Sequence, residues 1–297
     1  MSDISSIRLP RVPRRQLLQA MAGGAWAIGA LGSPAARAAD APSGPGQGRI
    51  RQGACPGAFG KKASIDEKCR MAVQLGLAGI DFVDPNDWPT LKKHGLICTM
   101  VRSHSITKGF NRKENHEECL AKLRESIEAA SAAGYPSVIC FSGNRGGLDD
   151  ETGLVNCVEG LKKIAPLAEQ KKVTLCMELL NSKRNHKDYQ CDHTAWGVAM
   201  CKRLGSPRVK LLYDIYHMQI QEGDVIATIQ ESIAWIGHFH TAGVPGRHEI
   251  DDTQELHYPA IMRAITETKY DGYVSHEYGP KRDALQSLRQ AVATCNV

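Results

Sequence analysis

From residue 49 onward, short apolar runs with strand character alternate with amphipathic stretches of helical period, and this alternation leaves few folds open. The strand-like runs are 50–55, 79–84, 97–103, 137–142, 173–180, 209–215, 236–241 and 272–278. The helix-like stretches are 65–77, 88–94, 115–133, 152–171, 193–204, 224–234 and 258–268, and 284–293 closes the chain. Several strands follow glycine-containing helix ends, as in Ala133-Gly134-Tyr135-Pro136 and Leu204-Gly205-Ser206-Pro207. Eight βα units in roughly 250 residues predict an α/β fold of the (β/α)8 TIM-barrel kind. A doubly wound open sheet is the competing architecture. No glycine-rich phosphate fingerprint follows the first strand, which weighs against a dinucleotide-binding version.

The barrel is expected over 49–297, preceded by a flexible linker at 39–48 and an export signal at 1–38. Arg14 and Arg15 lead into an apolar, Gly/Ala-rich run from Ala20 to Leu31, and Ala36-Arg37-Ala38 has the form of a cleavage site. The paired arginines resemble a twin-arginine signal, with Pro13, Leu17 and Gln19 departing from its usual pattern. The run is shorter than the roughly 20 residues that span a bilayer, so no stable membrane anchor is expected and the protein is read as periplasmic or otherwise exported. Residues 1–39 hold five arginines and one acid, Asp3, so +4 of the formal +5 charge lies there. The remainder is nearly neutral, and nucleic acid is not an expected partner. Ten cysteines are scattered without a CxxC pair, and Cys98, Cys140 and Cys176 sit in apolar runs. They are expected to be mostly buried free thiols.

Four of the apolar runs turn polar at their C-terminal ends: Glu178 in VTLCMELLN, Asp214 in VKLLYDIYH, His240 in IGHFHTAG and Glu277 in GYVSHEYGP. In a parallel barrel those ends converge on one face, where barrel enzymes build their chemistry. Each residue alone has a plain structural reading, such as a buried carboxylate paired with a cation. Four at matching depth on successive strands point instead to a divalent metal site with mostly oxygen ligands. Mn2+ or Mg2+ suits such a set, with Co2+ and Zn2+ as alternatives. Strand alternation puts His238 and His240 on the same side, and His240 lies nearer the rim. His276 should point outward.

Leu212-Tyr213-Asp214-Ile215-Tyr216-His217-Met218-Gln219, Ile236-Gly237-His238-Phe239-His240 and Pro245-Gly246-Arg247-His248-Glu249, in that order, resemble the hydroxypyruvate isomerase family. More broadly they resemble the xylose-isomerase-like TIM barrels, which include ketose 3-epimerases. The resemblance implies that Glu178, Asp214, His240 and Glu277 bind one divalent metal. It also implies that Glu178 and Glu277 act as an acid/base pair and that His217 and Arg247 contact substrate. The implied reaction converts hydroxypyruvate to tartronate semialdehyde. Hydroxypyruvate isomerases typically carry Gln at the position of His240, whereas sugar 3-epimerases carry His, so a ketose 3-epimerase is the runner-up.

The chemistry calls for these residue types. Moving a carbonyl between adjacent carbons removes one proton and returns another nearby, through an enediolate. The expected partner is a small hydroxy-carbonyl or sugar substrate, and a homo-oligomer is compatible with the sequence. A metal-dependent lyase on oxidised sugars would use the same acid/base pair. An apurinic endonuclease-like nuclease would need more ligands, and Phe141-Ser142-Gly143-Asn144 supplies no histidine. A non-catalytic sugar-binding protein would have to keep all four ligands without using them. The polar loop 181–189 is read as a lid, Arg102 and His104 as pocket-lining, and 143–147 as a loop able to meet an anion.

Overall fold

A computed structural model describes residues 48–297. The expected export signal at 1–38 and most of the linker at 39–48 lie outside the described residues. Seven parallel strands curl into one sheet: β1 (Arg51–Ala54), β2 (Gly79–Ile80), β3 (Ser137–Cys140), β4 (Thr174–Glu178), β5 (Val209–Asp214), β6 (Ile236–Thr241) and β7 (Tyr273–His276). Their spatial order is β2-β1-β7-β6-β5-β4-β3. The gap between β2 and β3 is closed by residues 97–101. Ile97 bridges Gly79, and Val101 bridges Val138. The result is the (β/α)8 barrel that the alternation predicts.

The third expected strand is the irregular one. Ile80 N–H donates to Ile97 O (3.0 Å), but Phe82 N–H donates to Met100 O (2.7 Å), so this segment fits three residues where β2 uses two. That is a bulge, and it breaks the ladder while keeping the barrel closed. Gly79 makes the close approach feasible: a Cβ there would run into the carbonyl oxygen of Ile97. Phe82, one step beyond, takes a left-handed φ of 59°, unusual for a residue with a bulky side chain.

The helices are α1 (Ile65–Gln74), α2 (Trp88–Lys93), α3 (His116–Ala133), α4 (Asp150–Lys162), α5 (Ala165–Lys171), α6 (Thr194–Leu204), α7 (Ile215–Gln221), α8 (Val225–Ser232), α9 (Tyr258–Glu267) and α10 (Ala284–Cys295). The expected single helix over 152–171 is two helices. Pro166 lies in the first turn of α5, where its missing N–H is tolerated; it could not continue α4. Helix α7 replaces the expected strand end around His217. The Asp214 side chain accepts the His217 N–H at 3.2 Å, so the D-x-x-H segment is a helix N-cap.

Register decides which residues meet inside. Glu178 pairs with Leu212, Asp214 with His240, and His240 with Ser275. Paired residues of parallel strands share a face, and residues two apart share it too. Glu178, Asp214, His240 and Glu277 therefore all face the barrel axis at its C-terminal end. On the other side, Gly53 pairs with both Ser275 and Gly79, which sets Cys55 and Asp81 on the same inner face. His276 faces outward and contacts Thr241 Oγ1 (2.8 Å) and Gln52 Oε1 (2.9 Å). All ten cysteines are buried and unpaired.

Candidate metal centre and substrate pocket

Every residue read from the sequence as a metal ligand arrives at one place. One donor atom each from Glu178, Asp214, His240 and Glu277 lies within 4.8 Å of all the others. His240 Nδ1 is 2.7 Å from Glu277 Oε2, 3.6 Å from Glu178 Oε1 and 4.0 Å from Asp214 Oδ2. Glu178, Asp214 and His240 are buried, and the Glu277 side chain retains some exposure toward the pocket.

His240 is held from behind. Its Nε2 lies 2.9 Å from Asp81 Oδ2, an oxygen also 3.0 Å from His238 Nε2. The other Asp81 oxygen accepts from Ser275 Oγ at 3.0 Å and from Thr99 Oγ1. A carboxylate at Nε2 stabilises the proton on that nitrogen, which leaves Nδ1 as the atom that would face a cation; without one, burial is outweighed by the charge of Glu277 and the imidazole is raised well above its usual range. Nδ1 is buried without a hydrogen-bond partner. An imidazole nitrogen facing three carboxylates in a buried site fits a divalent ion held mostly by oxygen. Asp81 is the functional residue that sequence reasoning missed. Its signal was an acid inside the apolar run Gly79-Ile80-Asp81-Phe82-Val83.

The second layer is Arg247. It has a left-handed φ of 56° and follows Gly246 at 94°, a turn that carries its side chain back over the barrel mouth. Its Nη2 donates to Asp214 Oδ2 (2.8 Å) and Glu277 Oε2 (2.7 Å), while Nη1 sits 2.7 Å from His217 Nε2. The backbone N–H of Asn181 donates to His217 Nδ1 at 3.3 Å. His217 and Arg247 thus join the site, as expected, and do so in contact with each other.

These neighbours push the two glutamates apart. Burial raises Glu178 to about 7, and the charge of Glu277 adds to the effect against the pull of the nearby His240 imidazole. Burial acts on Glu277 in the same direction, but Arg247 and His240 outweigh it and bring its carboxyl down to about 2. Asp214 is also lowered, with Arg247 and His217 overcoming burial. Burial lowers His217 to about 3, so its imidazole is neutral.

Other sequence expectations resolve as structure. His104 Nε2 accepts the Phe141 N–H (3.4 Å), and its Nδ1 lies 3.2 Å from both Ser105 O and Lys108 O, so it braces a loop outside the pocket. The 143–147 loop is held by Arg112, whose Nη2 donates to Arg145 O and Gly146 O at 2.6 Å each. Loop 181–189 is anchored at the rim: Asn181 binds His217, and Tyr189 Oη donates to Glu178 O (2.9 Å). Arg102 does line the pocket. It borders a cavity of about 300 Å3 with Cys55, Phe82, Arg247, Glu277 and Tyr278.

The model of the xylose isomerase-like TIM barrel family matches residues 88–294. The chain belongs to that family. Among curated relatives, a 2-oxo-tetronate isomerase from Cupriavidus necator is 39% identical over 131 residues, covering 44% of this chain and 50% of the relative. The hydroxypyruvate isomerase of Escherichia coli is 28% identical over 234 residues, covering 73% of this chain and 89% of the relative. Matches to the first relatives thus span only 50–62% of their length. A solved structure titled as an AP endonuclease, family 2, from Brucella melitensis superposes with a TM-score of 0.71 at 24% identity, over 80% of this chain and 97% of that one. At that identity the likeness shows the shared barrel fold.

Proposed function

We propose that this protein is a metal-dependent isomerase of a small hydroxy-carbonyl acid, with hydroxypyruvate to tartronate semialdehyde as the named reaction. The observation that carries the reading is the orphaned His240 Nδ1 facing Glu178, Asp214 and Glu277 at the mouth of the barrel. The names of the isomerase relatives support it. Glu178, Asp214, His240 and Glu277 would hold the ion. When bound, it would supply Lewis acidity that favours the enediolate form of the substrate.

The protein's own groups account for the proton movements. Glu277, kept ionised beside Arg247, is suited to accept the proton from C3 of hydroxypyruvate. The electron pair of that C–H bond becomes the C2–C3 double bond of the enediolate. Glu178, across the cluster from Glu277, is placed to return a proton to C2, while the hydroxyl proton moves from the C3 oxygen to the C2 oxygen. The two acids come from β4 and the end of β7, three strands apart in the sheet, so they can address the substrate from different sides. Arg247 orients Glu277 and Asp214, and neutral His217, held by Asn181 at Nδ1, sits against the Arg247 guanidinium at the edge of the substrate space.

Ketose 3-epimerisation is the second reading, favoured by an imidazole at position 240. It needs the same groups, with the proton returned to the opposite face of the carbon it left. The nuclease reading has little support: among the described residues, the only other candidate metal group is Cys55, Asp81 and His240, where Asp81 is already hydrogen-bonded to two histidines. The test is turnover by metal-loaded protein in deuterium oxide. Formation of tartronate semialdehyde carrying deuterium at C2 supports the proposal. Exchange-free inertness toward hydroxypyruvate, with epimerisation of a ketohexose panel, would replace it with the second reading. We also propose that residues 1–38 direct export, for which signal-dependent recovery in a periplasmic fraction is the check.

A further inference from the structure

We infer that Arg102 is an anion subsite that seats the carboxylate of the substrate, and that the site therefore selects hydroxy-oxo acids over neutral ketoses. This rests on the isomerase reading above and specifies its substrate class. Two arginines border the 300 Å3 cavity. Arg247 is committed to Asp214, Glu277 and His217, so its charge is already matched by protein carboxylates. Arg102 is not. Its Nε donates to Phe82 O at 3.0 Å, and its guanidinium lies 5.0 Å from the Phe82 ring centroid. Its two terminal amino groups have no acceptor among the described residues.

The side chain is nevertheless held in place. Ser126 Oγ donates to Arg102 O at 2.8 Å, which fixes the backbone, and the Nε bond and the aromatic face fix the fork. Arg102 is exposed at the cavity mouth, and a guanidinium tethered at Nε presents its two terminal N–H donors outward, the arrangement that binds a carboxylate bidentately. Phe82 links this fork to the metal centre. Its ring meets the His240 ring edge-on at 5.8 Å on one contact and the Arg102 guanidinium on another, and Phe82, Arg102 and Glu277 all border the same cavity. A short acid can thus rest its carboxylate on Arg102 and its hydroxy-carbonyl end at the glutamates.

The experiment measures binding of D-glycerate and of dihydroxyacetone to the metal-loaded protein by calorimetry, with Arg102→Ala and Arg102→Lys beside the wild type. Removing a charged hydrogen-bonding partner should weaken D-glycerate by about 30-fold in Arg102→Ala, with partial recovery in Arg102→Lys. Dihydroxyacetone affinity should stay within about twofold. With hydroxypyruvate as substrate, KM should rise by a similar factor while kcat changes little. D-glycerate affinity unchanged by Arg102→Ala, equal weakening of both probes, or no D-glycerate binding by the wild type would each overturn the proposal. Arg102-dependent D-glycerate binding without hydroxypyruvate turnover would leave the subsite standing and remove the isomerase reading. Turnover indifferent to Arg102 would do the reverse.

Discussion

The two halves of the barrel wall are built differently. From β4 to β7 the strands run four to six residues in ladders broken only by one register shift between β5 and β6 at Leu211/Leu212, and each brings one candidate ligand to the same end of the barrel. From β1 through residues 97–101 to β3 the ladder is short and bulged, and the inner wall includes Gly53 and Gly79. The regular half brings one donor atom from each of Glu178, Asp214, His240 and Glu277 within 4.8 Å of the others. The irregular half supplies Asp81, Phe82 and Arg102, and the pocket opens on that side. Regular pairing sets the positions of the reacting groups, while the irregular segment shapes what can reach them.

If that division holds, the largest effect belongs to the regular half. Glu277→Gln or Glu178→Gln should lower kcat by about 1000-fold, in the range of a lost general acid or base, while a fold assay such as circular dichroism stays unchanged. Retention of full activity by either variant would end the acid/base assignment. Asp81→Asn probes the irregular half acting on the regular one. It should weaken metal binding by about 10–100-fold, read by competition with a fluorescent chelator, because the His240 ring loses the carboxylate that selects its tautomer.

The pH dependence follows from Glu178. Its carboxyl, raised to about 7, must lose its proton to become a ligand, so metal affinity should fall as pH drops below 7, by up to about tenfold per unit. In metal-free protein the folded chain keeps a proton that an unfolded glutamate releases near its ordinary 4.5. The contribution of Glu178 to stability therefore declines as pH rises from about 4.5 to 7, and saturating metal should oppose that decline. Melting curves across this window, with and without Mn2+, check the sign. The smallest effect should come from Arg112→Ala, which frees two carbonyls in the 143–147 loop; we expect about 1 kcal/mol of lost stability and unchanged metal affinity.

The same contrast explains what could be read from the chain. Glu178, Asp214, His240 and Glu277 were legible as a set because four successive apolar runs turn polar at matching depth, although each alone admits a plain structural reading. The four strands that carry them were legible for the same reason. The break between α4 and α5 was written in Pro166 and overlooked, because the amphipathic pattern continues through it. His217 was placed beside Asp214 correctly but on the wrong element, since an acid three residues before it serves equally as a strand end or a helix cap. Asp81 and the bulge at 97–101 depend on contacts between segments, Gly79 against Ile97 and Asp81 against two histidines more than 150 residues away. No local pattern encodes those.

The ten thiols make the folded and unfolded chains two different redox molecules. Folded, each sulfur is packed away, and burial pushes thiols such as Cys140, Cys157 and Cys191 well above their ordinary range, so an external oxidant finds almost no thiolate to attack. Unfolded, all ten become reactive at once, with many wrong pairings and no native one among them. Oxidation would then act as a ratchet on any molecule that opens, and lasting function in an oxidising medium would depend on completing the barrel before exposure to it.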